Sequence, residues 1–303
     1  MKRVLLLVAG VVALLVVAPA PAKTVTVDIS KLGFVPAAVT VQTGDSVTWT
    51  NKDTANHQVV CAACSPPFTS PVIPPAQTFT ETFTKIGKFT VVDPLNKNKK
   101  ATVTVTAAPP TVSVSANPHV MNYGNTTTLS GSISTAQTNQ KVEILAQACG
   151  ETAAKVIGNA QTTTGGSFSF QHQATLTTSY QARFKPATGA AVTSAPISVQ
   201  VRPIVLLNRL ALHKFSTQVV SAQSFRGKVV LFQRWVAARH RWNTVKTVFL
   251  GTQAPATSPL AGSTVSKTTF KANLRKGLRV RAVLPAGQAA PCYLNATSAT
   301  IRS

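Results

Sequence analysis

A chain of 303 residues with 30 Lys and Arg against 7 Asp and Glu has a formal net charge of +23 and room for two or three domains. No acidic residue follows Glu151, which excludes hydrolysis by paired carboxylates from the second half. The imbalance also creates a positive field that draws anionic polymers or membrane surfaces, although a plain basic surface that keeps the chain in solution produces the same composition.

At the N-terminus, Lys2 and Arg3 precede the apolar run VLLLVAGVVALLVVA and then PAPA. This is the basic, apolar and small-residue order of a secretory signal peptide over 1–22. Cleavage after Ala22 is favoured, since a cut after Ala20 leaves Pro21 first. An uncleaved anchor is the alternative, but the run is short for a span of about 20 residues. No later stretch is long and apolar enough to cross a membrane, and no cysteine follows the signal to take a lipid anchor. The expected location is secreted, extracellular or associated with the cell envelope.

From residue 23 to 108, TVTVDI, AVTVQTG, SVTWTN, TFTETFTKIGKFTVV and KATVTVTA alternate apolar and polar positions between turn residues, the pattern of short strands in a sandwich. Trp49, Phe79, Phe83 and Phe89 sit at alternate positions and are expected in its core. Cys61 and Cys64, in VVCAACSPP, are expected to form a local disulfide. A redox pair or half a metal site is less favoured, because no second CxxC and no βαβ pattern accompanies them. AAPPTVSVSANP then marks a boundary, with Pro109 and Pro110 as a stiff joint.

Two related units follow, over 109–202 and 203–303. QKVEILAQ from Gln140 resembles GKVVLFQR from Gly227, an offset of 87 residues, whereas Phe170 matches Phe270 and Ala182 matches Ala282, an offset of 100. The difference of thirteen residues is assigned to the loop GTQAPATSPLAGST. Each unit is long enough to close its own two-sheet core, so the whole chain reads as all-β. Cys149 and Cys292 fall in different units, and their pairing would require the units to fold back on one another.

The segment RWVAARHRWNTVK carries Arg234, Trp235, Arg239, His240, Arg241, Trp242 and Lys246. All but the histidine are candidate contacts for a polyanion or glycan, because guanidiniums bind anions and indoles stack on rings. Core packing of one indole is the competing reading. NTT at Asn125 and NAT at Asn295 are formal glycosylation triplets. No nucleophile and base set, metalloprotease histidine spacing, phosphate-cradling loop or specific nucleic-acid motif occurs, so a non-enzymatic protein is expected.

Two resemblances add to this reading. The repeats resemble bacterial immunoglobulin-like or prealbumin-like modules, which implies spacer or adhesive roles. FVPAAVTVQTGDSVTWTNKDTANHQV resembles the plastocyanin or amicyanin-like cupredoxin family through Phe34, Pro36, Gly44, Asp45, Val47, Trp49, Asn51, Asp53 and His57. That family implies a sandwich holding copper by two imidazoles, one thiolate and a weak thioether. The resemblance places His57 at the first imidazole. Counting on from Gly87 puts Asp93 at the thiolate position, Asn96 at the second imidazole and Lys99 at the thioether. The implied domain is therefore degenerate, without a cofactor. Copper binding and electron transfer is the alternative, using His57 with Asp93, or with Cys61 or Cys64 at a shifted site. The expected role is structural or adhesive, with anionic cell-envelope polymers or an envelope protein as partner.

Overall fold

The computed structural model describes residues 22–97, 99–255 and 262–303. All but Ala22 of the signal segment, and 256–261 of the loop assigned the extra residues, lie outside them. The chain divides into two compact units, one ending at Pro109 and one running from Pro110 to Ser303. Among the described residues no helix is long and apolar enough to cross a membrane.

The first unit is a sandwich with the cupredoxin fold. Its strands are β1 (Thr24–Ser30), β2 (Gly33–Val35), β3 (Ala38–Gln42), β4 (Ser46–Asn51), β5 (Val60–Cys61), β6 (Phe68–Thr69), β7 (Thr78–Thr82), β8 (Gly87–Asp93) and β9 (Lys99–Thr106). One sheet runs β2-β1-β4-β7 and the other β3-β9-β8-β5-β6, with β1 parallel to β4 and β3 parallel to β9. Alternation sends Val47, Trp49 and Asn51 of β4 inward, and likewise Phe89, Val91 and Asp93 of β8. Trp49 is fully buried against Phe68, Phe79 and Phe83, with ring centres 5.9–6.3 Å apart. Of the four expected core aromatics only Phe79 is half-buried, on edge strand β7. The indole nitrogen of Trp49 has no hydrogen-bond partner.

The second unit contains two further sandwiches. In the first are β10 (Ser115–Asn117), β11 (Val120–Asn122), β12 (Thr127–Ser132), β13 (Lys141–Ala148), β14 (Lys155–Gln161), β15 (Ser167–His172), β16 (Thr178–Phe184), β17 (Val192–Thr193) and β18 (Ile197–Arg202). Sheet β10-β12-β15 faces β11-β18-β16-β13-β14, and β17 pairs with β16. In the second are β19 (Ile204–Ala211), β20 (Lys214–Ser221), β21 (Val229–Val236), β22 (Arg241–Phe249), β23 (Thr252–Pro255), β24 (Thr264–Lys271), β25 (Arg279–Leu284), β26 (Ala296–Thr297) and β27 (Ile301–Arg302). Sheet β19-β20-β24-β23 faces β22-β21-β25-β26, with β27 also on β25. Phe215 and Phe270 from one sheet meet Phe232 from the other at 5.0 Å.

The internal repeat is real, but its register differs by one residue from the sequence match. Ala182 pairs with Ile144, and Ala282 pairs with Phe232, so Ile144 and not Leu145 is the counterpart of Phe232. Letter similarity favoured an offset of 87, whereas burial requires Val142 and Ile144 to match Val230 and Phe232; a one-residue slip would turn every side chain to the wrong face. A shared serine marks the equivalence. Ser194 Oγ accepts from Ala182 N and donates to Ala195 O, while Ser298 Oγ accepts from Ala282 N and donates to Ala299 O. Part of the loop after Phe249 is also ordered as β23, paired with β24.

The buried side chains of the two repeats join in one continuous cluster. Cys149 and Cys292 are joined across it. Around the bridge Thr177 N donates to Cys292 O at 3.0 Å and Leu294 N to Val201 O at 2.9 Å. Tyr293 Oη donates to Thr175 O at 3.0 Å and accepts from Ala222 N at 2.9 Å. Burial pushes the Tyr293 phenol up to about 12, keeping it a neutral donor.

Candidate metal centre and a basic aromatic face

His57 lies at the end of the loop that follows β4. Asn51 holds that loop: its amide donates to Ala55 O and Ile73 O, both at 2.8 Å, and its oxygen accepts from Asp53 N at 2.9 Å. His57 N and O pair with Ile73 at 3.1 and 2.8 Å, which draws the residue inside until only 2% is exposed.

A carboxylate faces each ring nitrogen. Asp93 Oδ2 is 2.6 Å from His57 Nδ1, and Asp53 Oδ2 is 3.2 Å from Nε2. The imidazole is thus held from both edges. The other oxygen of Asp93, a fully buried residue, accepts from Gln58 N at 3.2 Å and Leu95 N at 3.1 Å. The Thr54 amide, followed by the bond to His57, holds the Asp53 carboxyl below its usual range.

These groups do not fit a blue-copper centre. Such a site needs a thiolate, and Cys61 and Cys64 are joined in the expected disulfide, which removes them from the shifted-site alternative. At the remaining ligand positions, Asn96 Nδ2 points to Ser30 O and Lys31 O at 3.3 and 3.4 Å, while the Lys99 stem packs along Gly33. Asp93 and Asp53 occupy opposite edges of one imidazole, so a single ion cannot take all three side chains. Among the described residues no group of three or more His, Cys, Asp or Glu is arranged to hold a metal. Asn51 and Asp53 stood within the quoted family pattern, but sequence reasoning gave them no part in the site. The signal was the N-x-D-x-x-x-H spacing, which brings Asp53 to the far side of His57.

The second cluster lies on the outer face of the sheet containing β21, β22 and β25. Trp235 and Trp242 are cross-strand partners with edge-to-face rings 5.5 Å apart. Because Val230 and Phe232 point into the core, Gln233 and Trp235 point out beyond the bulge, and Arg279 and Arg281 point out around buried Val280. The Arg281 guanidinium sits 4.3 Å from the Trp242 ring centre, while Arg279 lies 5.7 Å from Trp235 and 6.0 Å from Trp242. Both indoles are half-buried.

Most expected partners of these indoles lie elsewhere. Arg234 pairs with inward-facing Val280, and Arg241 pairs with Val236, so both belong to the opposite face. Lys246 lies opposite buried Phe232 and donates to Lys271 O at 3.0 Å. Arg239 and His240 form the turn, His240 with φ of 44° and its ring edge-on to Trp235 at 6.4 Å. Sequence reasoning missed Arg279 and Arg281, whose signal was the alternation RVRAVL.

The family model for copper binding proteins of the plastocyanin/azurin family matches residues 21–130, the whole first sandwich and the first strands of the second unit. Among solved structures, a mutant of amicyanin in its Cu(I) form is 26% identical over 27% of this chain and 82% of that one, with a TM-score of 0.26. A second amicyanin mutant, also Cu(I), is 26% identical over 29% and 86%, with a TM-score of 0.27. A purple cupredoxin from Nitrosopumilus maritimus is 21% identical over 27% and 99%, with a TM-score of 0.25. No curated protein matches the chain.

Proposed function

We propose that this is a secreted, non-enzymatic attachment or structural protein of the cell envelope, in which a cupredoxin fold without its electron-transfer centre precedes two immunoglobulin-like sandwiches. The carrying observation is the fate of His57. Its Nδ1 is bound to Asp93 at 2.6 Å, and that carboxylate stands where the resemblance places the thiolate. Both ring nitrogens face carboxylates, and no thiolate stands near the ring to supply copper-sulfur covalency. What remains is a buried polar staple joining the loop after β4 to the end of β8. The strongly basic second unit supplies the attraction to anionic envelope material.

An optical titration of the purified protein with Cu(II), paired with a metal assay, tests this reading. The expected outcome is no intense visible thiolate-to-copper band; a stoichiometric site with that band overturns it. The family description supports a second reading, copper binding without blue-copper spectroscopy. Copper retained at one equivalent through dialysis, and lost in His57→Ala, would establish that alternative.

A further inference from the structure

We infer that the outer face of the layer formed by β22, β21, β25 and β27 binds an anionic polysaccharide through the guanidiniums of Arg279, Arg281 and Arg302, with the indoles of Trp235 and Trp242 holding the first two in place. This deepens the attachment reading above by naming the ligand class and the surface that takes it.

The first argument is charge without counter-charge. The only acidic residues after Asp93 are Glu143 and Glu151, and both are engaged: Glu143 by Arg183 at 2.6 Å, Glu151 by Lys155 at 2.6 Å. The face itself has neutral acceptors alone. Arg281 Nε donates to Gln233 Oε1 at 2.9 Å, and Arg302 Nη1 donates to Gly277 O at 2.7 Å. Burial presses the Arg281 guanidinium below the ordinary arginine value, with no carboxylate offsetting the desolvation. An incoming anion supplies that missing partner.

The second argument is arrangement. Arg279 and Arg281 are two residues apart on β25, hence roughly 7 Å apart along the strand. Arg302 is the register partner of Arg279 on β27, one strand spacing of about 5 Å to the side. A guanidinium held over an indole, as Arg281 is over Trp242 at 4.3 Å, is restrained while its remaining N–H groups can meet carboxylate, sulfate or phosphate groups. The result is a short, preorganised row that matches regularly spaced charges on an extended polymer.

The same stacking decides between ligand classes. Single-stranded nucleic acid is held by bases lying on open aromatic faces. Here Trp242 is capped by Arg281 at 4.3 Å and meets Trp235 edge to face. The indoles position the arginines, and the polymer is read through its charges.

The test uses the full chain and immobilised polygalacturonate, with uncharged dextran, an oligothymidylate and phosphatidylglycerol vesicles as comparison probes. Arg279→Gln/Arg281→Gln is compared with Arg234→Gln/Arg241→Gln, which removes the same formal charge from the opposite face. Folding of each variant is checked by near-ultraviolet circular dichroism. At matched salt the outer-face variant is expected to bind polygalacturonate about tenfold more weakly, and the opposite-face variant less than about threefold. Arg281→Lys, which keeps the charge but loses the planar guanidinium over Trp242, falls between them. Equal losses in the two double variants, or no loss in either, overturn the assignment of the face while leaving attachment by charge intact. Absence of polygalacturonate binding by the unaltered chain overturns both. Tighter binding to the oligothymidylate or to the vesicles rejects the ligand class, and equal binding to dextran rejects charge readout.

Discussion

Replacing Asp93 isolates the forces that hold the site in the first sandwich. Asp93→Ala removes the acceptor for His57 Nδ1 at 2.6 Å and for the amides of Gln58 and Leu95. Leu95 is exposed, so water can replace its bond. His57 is 2% exposed and cannot be rehydrated in the same way. Removing one partner of a buried pair costs about 3–5 kcal/mol, and only the longer contact of His57 Nε2 to Asp53 at 3.2 Å then remains. A loss of about 4 kcal/mol is therefore expected. Asp93→Asn keeps the shape and one carbonyl acceptor and forfeits only the charge-assisted part of the contact, about 1–2 kcal/mol. Amide exchange of β4 and β8, followed by mass spectrometry on the full chain, reads the stability of this unit without interference from the other. The alanine variant should exchange about a thousandfold faster and the asparagine variant about tenfold faster. Equal effects of the two substitutions, or an alanine effect below about 1 kcal/mol, would refute a histidine held by this carboxylate.

Three further outcomes follow from the geometry. Asp45 has its carboxyl held below the usual range by the Gln42 amide and then the Lys23 amide; its contribution is present above the ordinary carboxylate value near 3.9 and is lost as pH falls through the lowered folded value. The calorimetric midpoint of the first unit should thus drop between about pH 5 and 2, and less steeply in Asp45→Asn. Removing the Cys149–Cys292 bridge by a double serine substitution should destabilise the second unit by up to about 5 kcal/mol in the chain-entropy account of its separation of 143 residues, measured by urea unfolding; an unchanged midpoint would count against that closure. Gly131→Ala places a methyl 1.9 Å from Ser113 O and 2.5 Å from the Phe168 ring, so a loss of about 1–3 kcal/mol is expected in the same assay, with no loss if β10 and β12 can separate.

What could be read from the letters was whatever depends on period two. Alternation located the first sandwich and its Trp49 core. The short Cys61–Cys64 separation made that disulfide legible as well. Features set by pairing between strands were not. The pairing of β21 with β25 decides which charges accompany Trp235, and a single strand carries no record of it. The repeat slipped by one residue because Leu145 resembles Phe232 in character while Ile144 shares its position. Asp53 was visible as a letter, but only the Asn51-held loop brings it to His57. The union of the two repeats depends on distant contacts around Cys292 that no local pattern encodes.

The bridge between Cys149 and Cys292 also has a mechanical side. A load applied between Pro110 and Ser303 is passed across the bond, so the chain between the two cysteines bears no tension while it is oxidised. With 143 residues of separation and about 3.5 Å per extended residue, the crosslink withholds about 500 Å of chain. Only the segments outside the loop can lengthen. Reduction would release the stored length and turn a short tether into a long, compliant one, so the redox state of the surroundings would set its reach.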